Sequence, residues 1–375
     1  MTTTTSNTVY SSYSLNFDQC HDLALAIGPK RTVLFQGCMG IGKSALYHSL
    51  CAALPDHVGV LIDGTTMVDS ADLFMISIEG KEFERVPLKR LNMLGGKPII
   101  LFVDELGKMS RSAQLATRRL LLERAFDDYE LPKGSIAVAT TNLAGENVGD
   151  LLPAHARNSM LIVNMANPTA KEWVNNFAIS NGIHEACISY VLENPQVFHS
   201  FMDYEDPNEN QHIFHPRANR ESFCSHRAMH MASDVLKERD HMDNKTLHAA
   251  LIGAIGQYTA NDMMAHIALC DQIPKRADIH SNPMTAVVPT DPAAICMVVY
   301  RELVTIEREH VTAWMQYMGR LSKEAQGLFI NGIRDLVSNN KTRTAKGEER
   351  HQAVCQNAEY RTWCHANGYM IAQKN

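Results

Sequence analysis

The sequence predicts an α/β protein: a P-loop core on a mainly parallel sheet covered by helices, then an all-helical lid and a C-terminal helical extension. Three observations carry this. Five short apolar runs alternate with helical patterns in the first half of the chain. The first run leads directly into GCMGIGKS (Gly37 to Ser44). β-branched runs cease after Asn167-Pro168, where helical periodicity takes over.

The strand-like runs are Thr32 to Gln36, His57 to Asp63, Pro98 to Asp104, Ser135 to Thr140 and Met160 to Asn164. Strands apolar on both faces and alternating with helices belong to a parallel sheet covered on both sides. Helical patterns precede and separate them over Phe17 to Ile27, Lys43 to Leu54 and Arg111 to Phe126. Beyond Pro168 the helical patterns are Ala170 to Ser180, His184 to Leu192, Ser222 to Arg239, Asn244 to Cys270, Pro292 to Arg308 and Ala313 to Val337. Asp203 to Gln211 reads as a surface loop, and the polar run Ser338 to Arg350 as a mobile one. The expected organisation is a flexible tail over 1–14, a nucleotide-binding core over 15–166, a helical lid over 167–274 and a C-terminal helical region over 275–375.

Composition narrows the class. With 375 residues, 45% hydrophobic and 20% charged, the chain can bury a sizeable core and is not disordered. A net charge of -6 gives no global attraction for a polyanion, so nucleic acid is not the favoured partner. Nine cysteines without a CxxC pair fit reduced thiols, and no apolar run approaches a membrane span, so a cytoplasmic protein without membrane contact is expected.

GCMGIGKS matches G-x-x-x-x-G-K-[ST] between a strand and a helix, where that motif belongs. Gly37, Gly40 and Gly42 let successive N–H groups point inward as an anion nest, and the helix N-terminus adds partial positive charge. Ile41 and Ala45 complete the backbone expected to face a nucleotide. Lys43 reaches the β- and γ-phosphates, and the Ser44 hydroxyl ligates Mg2+. ATP and Mg2+ are the implied cofactors. IILFVDE (Ile99 to Glu105) ends an apolar strand in two carboxylates: Asp104 to hold Mg2+, Glu105 to orient and deprotonate water. AVATTN (Ala137 to Asn142) ends a later strand in an amide able to bond the γ-phosphate or the attacking water.

This order, followed by a helical unit, resembles the AAA+ superfamily, and within it the MoxR-type ATPases. The long segment Thr65 to Lys97 resembles the hairpin-bearing insert of that branch, DELGKMSRSAQLATRRLLLERAFDDYELPKGSIAVATTN (Asp104 to Asn142) its run from Walker B to sensor strand, and NPTAKEWVNNFAISNGI with SHRAMHMASDVL its lid. The likeness covers about Phe17 to Pro274 and suits an accessory member of phage or bacterial kind. It implies that Arg227 reaches back to the nucleotide as a sensor. It also implies an arginine finger acting on a neighbouring subunit's ATP, but Ser159 stands at the family's arginine position in LLPAHARNSM, so the role passes to Arg157. A ring, a hexamer by the resemblance, follows from a trans-acting finger. The implied activity is ATP hydrolysis driving chaperone-like remodelling of a protein client, with a von Willebrand A-domain protein as a partner of the kind that branch uses.

Other readings stay open. A nucleic-acid motor or loader would use Lys81, Arg85, Lys89 and Arg90, which a solvated hairpin explains equally. The displaced finger suits a nucleotide-gated scaffold that hydrolyses little. Phe83, Phe126 and Tyr129 are candidates for gripping a substrate in a central pore, although large aromatics more often pack under their own hairpins. Cys224, His226 and His230 have helical spacing for zinc but lack a fourth ligand.

Overall fold

The structure is a computed structural model that describes residues 13–79, 82–93, 95–146, 157–270, 273–338 and 344–368. The chain divides into two compact units, Met1–Asn167 and Pro168–Asn375.

The first unit is built on a six-stranded parallel sheet. Its strands are β1 (Ser14–Leu15), β2 (Val33–Gly37), β3 (Val58–Asp63), β6 (Ile99–Asp104), β9 (Ile136–Asn142) and β10 (Leu161–Met165), in the order β1-β10-β2-β9-β6-β3. The five expected strands are present within a residue or two of their read limits. β6 and β9 lie inside the sheet and are buried on both faces except at their last residues, which explains their unbroken apolar runs. β3 is an edge strand and alternates buried with exposed residues. Helices α1 (Phe17–Ile27), α2 (Ala45–Ala53) and α3 (Arg111–Glu123) accompany the sheet. Asn16 closes a capping box with Gln19 at the start of α1, and Ser110 caps α3 through Ala113 N at 3.1 Å.

α3 stops at Glu123, three residues short of the sequence reading. Arg124 turns left-handed at φ 58° and its guanidinium is drawn inward, donating to Gly28 O and Thr32 Oγ1, each at 2.8 Å. Those buried bonds outweigh continued helix, and the chain instead forms the small hairpin of β7 (Ala125–Phe126) and β8 (Tyr129–Glu130).

A second hairpin, β4 (Phe74–Glu79) with β5 (Glu82–Pro87), occupies the long insert. It meets the first hairpin through Phe74 and Phe126, with ring centroids 5.6 Å apart, and through a Tyr129–Glu84 hydrogen bond. Arg85 lies 5.2 Å over the Phe74 ring and 3.9 Å from Asp127. An exposed ion pair of that kind is worth about 0–1 kcal/mol, so the aromatic contact is the stronger tie. Phe126 is therefore packing, as the commoner reading held; the Phe83 side chain and Lys81 lie outside the described residues.

The second unit is helical. Thr169 and Glu172 form a capping box at Ala170–Trp173, and that helix continues as a π-turn over Val174–Ala178. Further helices span Glu185–Glu193, His226–Lys237, Asn244–Ile255, Gln257–Cys270, Arg276–Ser281, Pro292–Thr305, Val311–Met318, Lys323–Ser338, Ala345–Cys355 and Ala358–Ala366. One apolar core joins Ala170 to Tyr360, with Trp314, Tyr317 and Phe329 inaccessible at its centre. Residues on both sides of Pro274 share this core.

Two long helical patterns are each broken. Asn244 to Cys270 divides at Gly256, whose φ of 80° suits glycine and where a Cβ would lie 2.7 Å from Ser222 O. Ala313 to Val337 divides between Met318 and Lys323. Part of the polar run read as mobile, from Ala345 on, is helix capped by Thr344. The acidic stretch Asp203 to Gln211 is a loop, threaded by Arg220, which donates to the carbonyls of Asn210 (3.2 Å), Ile213 and Pro207.

Cys224, His226 and His230 do not converge as a metal site among the described residues. His226 is buried, stacks on Phe198 at 3.9 Å and lies 2.7 Å from Pro168 O through Nε2. Burial lowers its pKa from 6.5 to about 4, with the Pro168 carbonyl opposing. The unfolded chain then binds a proton between those values while the folded chain does not, so stability is full above pH 6.5 and falls as pH drops towards 4. A thermal melt followed from pH 7 to pH 4 should show a loss of up to about 3 kcal/mol from this group. His226→Gln, which cannot charge, should lessen that loss; identical acid sensitivity would show that other groups carry it.

Candidate functional site

The C-terminal ends of β2, β6 and β9 bring the sequence motifs together. Register pairs Gly37 with Asn142 across β2 and β9, and Val103 with Ala139 across β6 and β9. Ligands of open parallel sheets bind at this edge.

After Gly37 the chain forms the loop that leads into α2. Gly40 and Gly42 have φ of 76° and 97°, conformations open to glycine. Among the described residues, the N–H groups of Gly40, Ile41, Gly42, Lys43 and Ser44 donate to no protein acceptor. Unsatisfied donors at a helix N-terminus form a nest suited to an anion. Ile41 is buried beneath the loop, and Ala45 is exposed as the first residue of α2.

Lys43 is 6% exposed and its ammonium is folded back on the loop. It donates to Gly37 O at 2.8 Å, Cys38 O at 2.7 Å and Asn142 Oδ1 at 2.8 Å, which engages all three of its donors. Burial lowers its pKa from 10.5 to about 8, against the pull of Glu146, Cys38, Asp104 and Glu105. The sequence separately placed Lys43 and Asn142 at this site; their direct bond was not foreseen.

Ser44 stands at the cap position of α2 but makes no capping bond, because its hydroxyl donates to Asp104 Oδ2 at 2.5 Å. Thr140 Oγ1 donates to Asp104 Oδ1 and accepts from Glu105 N at 3.1 Å. The Asp104 carboxylate is thus oriented from both sides. A serine hydroxyl paired with a carboxylate oxygen supplies hard oxygen donors of the type Mg2+ takes. Nest, ammonium and oxygen pair together fit a magnesium-bound polyphosphate.

Glu105 adopts the left-handed region at φ 51°, uncommon for a residue with a Cβ, and its carboxylate is paired with Lys108 three residues on. Thr140 and Lys108 escaped the sequence reading. Thr140 had a signal, since it lies two residues before Asn142 on one strand and so shares its face; Lys108 had none.

Arg157 and Ser159 lie just before β10 and both are exposed. Arg227 is the second residue of helix His226–Lys237 in the other unit and is exposed. Neither Arg157 nor Ser159 joins the cluster of Lys43, Ser44, Asp104 and Asn142 through a described hydrogen bond or ion pair.

No family model and no curated protein matches the sequence. Among solved structures, the chain is similar to RuvB of Thermotoga maritima, a Holliday junction branch migration motor, at 16% identity over 70% of this chain and 72% of that chain, with a TM-score of 0.34. It is also similar to NtrX of Brucella abortus at 15% identity over 92% of this chain and 68% of that one, with a TM-score of 0.33. Both likenesses are distant, and the functional reading rests on the side chains above.

Replacing Thr140 by Val should leave Glu105 N without its acceptor and Asp104 without one of its two supports. The expected stability loss is about 1–3 kcal/mol in a urea titration. An unchanged urea midpoint in the variant would show that Asp104 is oriented without it.

Proposed function

We propose that this chain is a magnesium-dependent ATPase of the AAA+ type, and that it works as a ring, hexameric in the MoxR manner, to remodel a protein client. The supporting observation is the convergence of Lys43, Ser44, Asp104 and Asn142 at the edge of one sheet, beside a loop of free N–H groups.

In this reading the loop from Gly40 to Ala45 and the Lys43 ammonium bind the phosphates of ATP. Ser44 and Asp104 hold Mg2+, which when bound draws charge from the phosphate oxygens. Lys43 exchanges at least one of its protein acceptors for phosphate. Glu105 accepts the proton of the attacking water once its carboxylate leaves Lys108, and Asn142 orients that water. In the same reading Arg157, exposed just before β10, serves as the finger on a neighbouring subunit's ATP, and Arg227 is the sensor contributed by the helical unit. A partner with a von Willebrand A domain belongs to the same reading. A nucleic-acid motor finds less support: Arg85, Lys89 and Arg90 are exposed, but Arg85 also lies against Asp127 and the Phe74 ring, as in a solvated hairpin.

Steady-state ATPase assays test this. Lys43→Ala should abolish binding and turnover, whereas Glu105→Gln should keep binding and lose about 10²–10⁴-fold in rate. Equal, negligible rates for wild type and Glu105→Gln would favour a nucleotide-gated scaffold instead. Strong stimulation by single- or double-stranded DNA at near-physiological salt would favour the motor.

The finger has a separate test. Glu105→Gln and Arg157→Ala, each inactive alone, should regain part of the activity when mixed, because a mixed ring contains interfaces with one intact Glu105 and one intact Arg157. No recovery from subunits shown to co-assemble would remove Arg157 from that role.

A further inference from the structure

The phosphate loop carries one buried acid that this chemistry leaves unused. Glu146 ends the turn Ala144–Glu146 that follows β9, and it is 2% exposed. Its Oε1 accepts from Met39 N at 3.0 Å, inside the loop, while Oε2 is buried with no hydrogen-bond partner among the described residues. Burial raises the pKa of this carboxyl, and the Met39 N–H, Lys43, Lys108 and Cys38 pull it back.

Such a group needs a reason to be there. A buried carboxylate with half of its acceptor capacity unmet is costly, and a phosphate-binding loop is the last place where an extra negative charge helps to bind phosphate. Lys43 supplies the counter-consideration. Its ammonium is buried and bonded to three neutral oxygens, one of them the carbonyl of Cys38, and the N–H of that same Cys38–Met39 peptide is the one held by Glu146, so ammonium and carboxylate flank one peptide group of the loop. Glu146 thus brings negative charge to the Met39 side of the loop, while the N–H groups of Gly40 to Ser44 stay without a protein acceptor among the described residues.

We propose that Glu146 is a positioning residue, the counter-anion of the nucleotide-free loop: it holds the Met39 N–H, balances Lys43, and opposes the arriving phosphates, so that its charge sets how tightly the loop holds a nucleotide. The inference rests on the phosphate-binding reading of Lys43 above. The carboxylate and the phosphates compete for the same ammonium, and like charges confined in a poorly solvated site repel. Affinity for nucleotide is thereby kept down, which favours release of the diphosphate after each turnover.

The test is calorimetric titration of the full-length protein with MgADP and with MgATP, comparing wild type, Glu146→Gln, Glu146→Ala and Lys43→Ala. Glu146→Gln retains an oxygen for Met39 N but removes the charge, and it should bind both nucleotides about tenfold more tightly. Glu146→Ala should also tighten binding, and it serves alone should the glutamine variant fail to fold. Weaker binding by Glu146→Ala with unchanged binding by Glu146→Gln would reduce the residue to a structural acceptor for Met39 N and overturn the proposal. So would unchanged affinity in both. Equal binding by wild type and Lys43→Ala is a different failure, that of the phosphate-binding reading itself.

Discussion

The Asp104 carboxylate ties two strand ends and one helix together. It accepts from Ser44 at the start of α2 and from Thr140 on β9, and Thr140 in turn accepts from the N–H of Glu105. The two bonds to the carboxylate contribute about 1.5–3 kcal/mol each and the Glu105–Thr140 bond about 0.5–1.5 kcal/mol. They also act together, since one partly buried network fixes the acid, the hydroxyl and the backbone of Glu105 in a single arrangement. Lys43 joins the same edge through Asn142, so that the phosphate loop, the acidic strand and the polar strand share one set of bonds.

Much of this was legible because parallel sheets leave a plain trace. β6 and β9 are buried on both faces, so their apolar runs end where polar residues reach the sheet edge, and Asp104 and Asn142 stand at those ends. The glycine spacing located the loop for the same reason: left-handed backbone at Gly40 and Gly42 is a local demand. The helix limits were less legible. Arg124 has ordinary helix propensity, yet tertiary bonds to Gly28 and Thr32 end α3 there. Gly256 reads as a tolerated helix glycine until the backbone of Ser222 packs against it. Glu146, Lys108 and the inward turn of Lys43 were invisible, because each depends on which distant groups the fold makes neighbours.

The helical unit shows the cost of buried polar groups in another form. His226, read by spacing as a metal candidate, is instead a neutral ring in an aromatic stack. Its spacing to Cys224 and His230 reflects one helix and the residues just before it.

The central claim is that Lys43, Ser44 and Asp104 surround one magnesium-bound triphosphate. A crystal structure with Mg2+ and a non-hydrolysable ATP analogue tests it most directly. The account predicts phosphates on the N–H groups of Gly40 to Ser44, with the Lys43 ammonium moved off the Gly37 or Cys38 carbonyl towards them. Phosphates bound elsewhere, or a Lys43 still folded back on the loop beside them, would contradict it.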